Sequence, residues 1–170
     1  MRFNRLAAVL LLSLGVTLSS QGQSLRSTDL EVVSGTIATG SATLVGPIKG
    51  FCRLDLNWMS TAGGVVDATV NYILGGRPSG KLVGADFCPN LVTPPTNNYS
   101  ATISKDFGGT STPLIAAVNL SSATRSSFGV TLKTPGNVHV PAFFFDPLSI
   151  YIEGAGSQKK GKIRLYFERY

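Results

Sequence analysis

Three places in the chain hold residue types whose spacing could do chemistry. In "GGRPSGKL", Gly75, Gly80 and Lys81 have the G-x-x-x-x-G-K spacing of a phosphate-binding loop. Such a loop needs a Ser or Thr after the lysine to hold Mg²⁺. It must also open a helix whose N-terminus receives the phosphate. Leu82 stands where the hydroxyl is required, and the following "LVGADFCPN" reads as strand and turn. The stretch is therefore read as a glycine-rich hairpin loop. In "SQKK", Ser157 and Lys160 have the S-x-x-K spacing of serine acyl-enzymes. That pair works where a helix brings both side chains to one face, whereas flanking glycines here predict a turn. The companion S-D-N and K-T-G motifs are absent.

His139 is the sole histidine, which excludes a His-rich metal centre. Within "NVHVP" it alternates with Val138 and Val140, which predicts a place on a polar face. The acids are scattered singly, without the D-x-D-x-D spacing of a calcium loop. A glycosidase needs only two carboxylates that the fold brings together, and nothing in the sequence argues for one. No enzymatic activity, metal or cofactor is expected. Asn98 in "NYS" and Asn119 in "NLS" fit the N-glycosylation pattern, which matters only in a host that glycosylates.

Two surfaces are candidates for binding. Lys159, Lys160, Lys162 and Arg164 lie close to Tyr166 and Tyr170, a mixture suited to an anionic polymer. Alternation puts Lys162, Arg164, Tyr166 and Tyr170 on one side of a final strand, following a hairpin turn. The solvated side of an edge strand looks the same, because lysines there discourage edge-to-edge pairing. The second candidate is Phe143, Phe144 and Phe145 in "VPAFFFDP". Consecutive strand residues face opposite ways, so this run needs either two buried surfaces or an exposed interaction patch.

The elements that must position these residues repeat with period two. In "FCRLDLNW", Cys52, Leu54, Leu56 and Trp58 share one face, against Arg53, Asp55 and Asn57. The same alternation aligns Val66, Ala68 and Val70; Tyr99, Ala101 and Ile103; Phe128, Val130 and Leu132; Leu148, Ile150 and Ile152; and Ile163, Leu165 and Phe167. Gly- and Pro-rich turns separate the runs, and "PNLVTPPTNN" reads as an irregular loop because Pro94-Pro95 cannot sit in a central strand. The pattern predicts an all-β, antiparallel β-sandwich, Ig-like or jelly-roll-like, with about 8–10 strands.

The start of the chain sets the compartment. Arg2 and Arg5 precede an apolar run from Leu6 to Leu18, and small or polar residues follow. This is the layout of a secretory signal peptide, with Ser20 and Gly22 suited to the −3 and −1 positions. Residues 1–22 are read as the leader, 23–28 as a flexible N-terminal arm and 29–170 as one β-sandwich domain. Of 15 Lys and Arg, the leader takes Arg2 and Arg5, leaving 13 against nine acids and a mildly basic net charge of +4. No later run is long and apolar enough to predict a transmembrane helix. The two cysteines, Cys52 and Cys88, predict a disulfide in an oxidising compartment. It would close a loop of about 37 residues and stabilise the fold by roughly 4 kcal/mol.

A small outer-membrane barrel is a poor fit. Tyr170 shares its side with charges, and the apolar side of the last strand is three residues long. Assembly by strand donation would need a longer alternation than Leu30, Val32 and Ser34 provide, so no family is assigned. The expectation is a non-enzymatic structural or interaction protein, extracellular, periplasmic or at the cell surface. It would act through contact with a protein partner or through self-assembly. The alternative is a binding module for an anionic polymer or polysaccharide, using the basic C-terminal segment.

Overall fold

The computed structural model describes residues 22–24, 30–44, 50–71, 73, 80–107, 110–129, 132–133, 139–140, 142–144 and 147–168. The expected leader, apart from Gly22, and most of the expected arm lie outside them. The described residues form strands throughout and no helix. In chain order the strands are β1 (Gly22–Ser24), β2 (Leu30–Ser34), β3 (Thr36–Leu44), β4 (Phe51–Met59), β5 (Val66–Val70), β6 (Gly80–Pro89) and β7 (Tyr99–Phe107). They continue as β8 (Thr110–Leu120), β9 (Ser126–Gly129), β10 (Leu132–Lys133), β11 (His139–Val140), β12 (Ala142–Phe144), β13 (Leu148–Glu153) and β14 (Lys160–Glu168). These fourteen exceed the number expected, because the irregular stretches contribute several strands of two to four residues.

Every pairing among these strands is antiparallel. One sheet runs β1-β3-β4-β14-β6-β12, with β9 also on β6, and the other runs β2-β5-β13-β7-β8. The pair β10-β11 stands apart. The sheets share one core. It takes Leu54, Leu56, Trp58, Ile163 and Leu165 from the first sheet and Val66, Val70, Ile103, Ile150 and Ile152 from the second. The alternation read in the sequence is what fills it: β4 and β14 each bury every second residue. Each such side chain taken fully out of water contributes about 1.5–3 kcal/mol. Trp58 from β4 and Tyr99 from β7 meet across the core with ring centroids 6.0 Å apart.

The topology is a row of arches. Five strands of the first sheet each connect directly to a strand of the second at the same end of the molecule. In spatial order the connections are β2 to β3, β4 to β5, β13 to β14, β6 to β7, and β8 to β9. Backbone hydrogen bonds lace neighbouring arches together. Ser60 N–H donates to the Lys159 carbonyl (2.9 Å), Ala155 N–H to Gly64 (3.1 Å), Thr96 N–H to Ala155 (2.7 Å) and Asn98 N–H to Leu120 (3.0 Å). Glycine is required where the arches touch. Gly64 has φ of +78°, and a Cβ there would lie 2.7 Å from the Gly156 nitrogen.

This topology corrects several sequence expectations. The "GAGSQKKGK" segment is not a hairpin turn, because β13 and β14 lie in different sheets. Nor do the flanks of "GGRPSGKL" form a hairpin: β5 and β6 are also in different sheets, and residues 74–79 lie outside the described set. The last strand is not an edge. β14 pairs with β4 on one side and β6 on the other over its full length.

The expected Cys52–Cys88 disulfide is absent, and the two thiols are not bonded to each other. Register explains why. Cys52 pairs with Phe167 of β14 and faces the core, whereas Cys88 pairs with Lys162 on the opposite face. They are separated by two strand spacings, ~10 Å, and by ~17 Å along the strands. A disulfide requires Cα atoms about 4.4–6.8 Å apart.

Candidate functional site

The outer face of the first sheet is where chemistry-bearing residues gather. Alternation in β4 sends Arg53, Asp55 and Asn57 outward, and in β14 it sends Lys160, Lys162, Arg164 and Tyr166 to the same side. After a register shift between Tyr166 and Phe167, Asp86 and Cys88 of β6 join them. Arg164 therefore lies between two acids, with Asp55 as its partner on β4 and Asp86 as its partner on β6. A charge row crosses the sheet in the order Asp55, Arg164, Asp86 and Arg125, the last supplied by the arch before β9, and Arg53 flanks Asp55 on β4.

Asp86 is the hub of this row. It is 3% exposed although it sits on the outer face. Arg125 Nη2 and Tyr166 Oη (2.8 Å) donate to its Oδ2, and Ser127 Oγ (2.7 Å) donates to Oδ1. Burial works against its charge. The hydrogen bonds from Ser127, Tyr166 and Arg125, with the Arg125 charge, outweigh that and hold the carboxyl below its usual range. Tyr166 is pushed the other way, first by burial and then by its hydrogen bond to Asp86.

The Asp55 side is less complete. Arg53 Nη2 meets Asp55 Oδ2 at 3.0 Å, and Arg164 Nε approaches Asp55 Oδ1 at 3.4 Å. That second approach lacks hydrogen-bond alignment, so Arg53 Nε, Asp55 Oδ1 and Arg164 Nε are buried without a hydrogen-bond partner.

Next to this row a groove of about 550 Å³ opens toward the arch end. Asn57, Lys160, Lys162 and Arg164 line one part, and Cys88, Asn90 and Leu91 line another. Among the described residues no carboxylate lines it, and neither Lys160 nor Lys162 has an ion-pair partner.

Of the residues named from sequence, the structure brings Lys160, Lys162, Arg164 and Tyr166 onto this face. Lys159 lies in the arch, where its N–H donates to Ser60 Oγ (2.9 Å). Tyr170 lies outside the described residues. Phe143 and Phe144 pair through their backbones with Lys81 and Gly80, and Phe145 lies outside the described set. Ser157 is exposed in the arch rather than on a helix, and His139 pairs with Lys133 in the small β10-β11 ribbon. Asn98 and Asn119 are both exposed. Sequence reasoning missed Asp86, Asp55, Arg125 and the groove. The polar face of "FCRLDLNW" was visible, but which strand lies beside it was not.

Comparison with protein-family models, with curated proteins and with solved structures finds no match for this chain.

Proposed function

We propose that this protein is an exported, non-enzymatic interaction module that uses the outer face of its first sheet to hold an anionic polymer, such as an acidic polysaccharide. The carrying observation is the succession of Lys160, Lys162 and Arg164 on a central strand, lining one groove that has no carboxylate among the described residues. A central strand needs no lysines to guard an edge, which supports a role in binding. Asp86, held ionised and occupied by three side-chain donors, is unsuited to act as a general acid, which favours binding over catalysis. The signal-like leader supports export.

The test is retention on a sulfated polysaccharide across a salt series. Affinity should fall steeply with salt, and a Lys160→Gln/Lys162→Gln variant should bind at least ~10-fold more weakly at low salt. A flat salt response, or an unchanged double variant, overturns the reading.

A second reading, self-assembly, has its own observation. β8 is an eleven-residue strand whose outer edge has no partner among the described residues. It carries Val118 at 66% exposure. An added strand could pair there by β-augmentation, although Pro113 removes one backbone donor from that edge. Sedimentation should then show concentration-dependent association that Val118→Lys abolishes. A monomer at every concentration removes this reading.

A further inference from the structure

The groove's outer wall carries an apolar tip that a soluble polyanion would leave unused. Leu91 and Val92 are adjacent and are 84% and 88% exposed. Isolated exposed apolar residues are ordinary, but this pair is held out on a braced loop. Asn90 Oδ1 accepts from Val92 N–H (2.8 Å) and Thr93 N–H (3.0 Å), which fixes the turn beneath the tip. Asn90 N–H donates to the Lys160 carbonyl (3.1 Å), and Lys160 N–H donates to Thr93 (2.9 Å). These bonds set the apolar pair directly beside the first cation of β14. Leu91 lines the same groove as Lys160 and Lys162. Around it at the arch end, Lys159 adds charge of the same sign, while Arg125 and Asp86 neutralise each other.

Apolar side chains projecting beside unpaired cations match one surface chemistry, a bilayer with acidic headgroups. The tip enters the acyl boundary while the cations take the headgroup phosphates, and the two contributions add. We infer that the arch end of the sandwich docks on an anionic lipid surface, with Leu91 and Val92 inserted and an acidic headgroup seated in the groove against Lys160 and Lys162. This rests on the reading of the groove as an anion site and puts a lipid headgroup, rather than a soluble polymer, in it.

The probes are phosphatidylcholine vesicles with and without 30% phosphatidylglycerol, and soluble dextran sulfate. The full chain without its leader should sediment with the anionic vesicles and not with the neutral ones. Val92→Ser, at the tip and outside the groove lining, should weaken vesicle binding at least ~5-fold and leave dextran sulfate binding unchanged. The position is exposed, so folding is not at risk. Lys160→Gln/Lys162→Gln should weaken both. Anionic vesicles should also slow labelling of Cys88, which lines the groove. If the Val92 variant binds vesicles like the parent, or the parent binds dextran sulfate but no vesicle, the lipid inference is wrong and the anion groove stands. If the parent binds neither probe, both readings fail.

Discussion

Asp86 shows how one residue can organise a surface. Its carboxylate is withdrawn from water on the outer side of a sheet, and it collects Arg125, Ser127 and Tyr166 from the arch before β9, from β9 itself and from β14. Replacing it with Asn keeps the shape but removes the charge these donors require, at an expected cost of about 1–3 kcal/mol. The pH dependence has a definite sign. The folded carboxyl lies below its ordinary value of 3.8, so the unfolded chain binds the proton first as pH falls. The stabilisation is fully present above that ordinary value and is lost as pH drops through the lower folded one. Urea midpoints measured between pH 5 and 2 should fall for the parent, and Asp86→Asn should lack that part of the fall. Parallel curves for the two proteins would show that Asp86 contributes no linkage. Gly161 is determined as tightly: a Cβ there would lie 2.5 Å from Trp58 Cζ2, because the indole lies over it.

At the scale of the strand, β14 decides most of what is particular to this molecule. Inserted between β4 and β6, it places Arg164 between Asp55 and Asp86 and separates Cys52 from Cys88. The strand order makes the thiols chemically unlike. Cys52 is fully buried among core side chains, and Cys88 is half-buried in the groove wall. A thiol reagent without reductant should therefore add one label to the native protein, at Cys88, and two after denaturation, read by mass. No label in denaturant would reinstate the disulfide and contradict the register. The alternation of Ile163, Leu165 and Phe167 against Lys162, Arg164 and Tyr166 was legible in the sequence, because period two is a property of a single strand. The neighbours of β14 were not. The segment before it has the glycines of a hairpin turn, and the same glycines serve an arch between sheets.

Over the whole molecule, five arches laced at one end hold two sheets around one core. That end gathers Lys159, Lys160, Leu91, Val92 and Arg125 from three separate connections. The all-β class, the polar and apolar faces of the main strands and the irregular loop at 89–98 were readable from the chain, because each follows from backbone geometry and solvent preference over a few residues. The disulfide, the hairpin and the edge strand were misjudged, and the Asp86 hub and the groove were invisible, for one shared reason. Each depends on which strands lie side by side and in what register, over separations such as the 80 residues between Asp86 and Tyr166. Local alternation determines which way each side chain points. Only the packing of β14 between β4 and β6, driven by burial of the common core, decides which outward-pointing side chains meet.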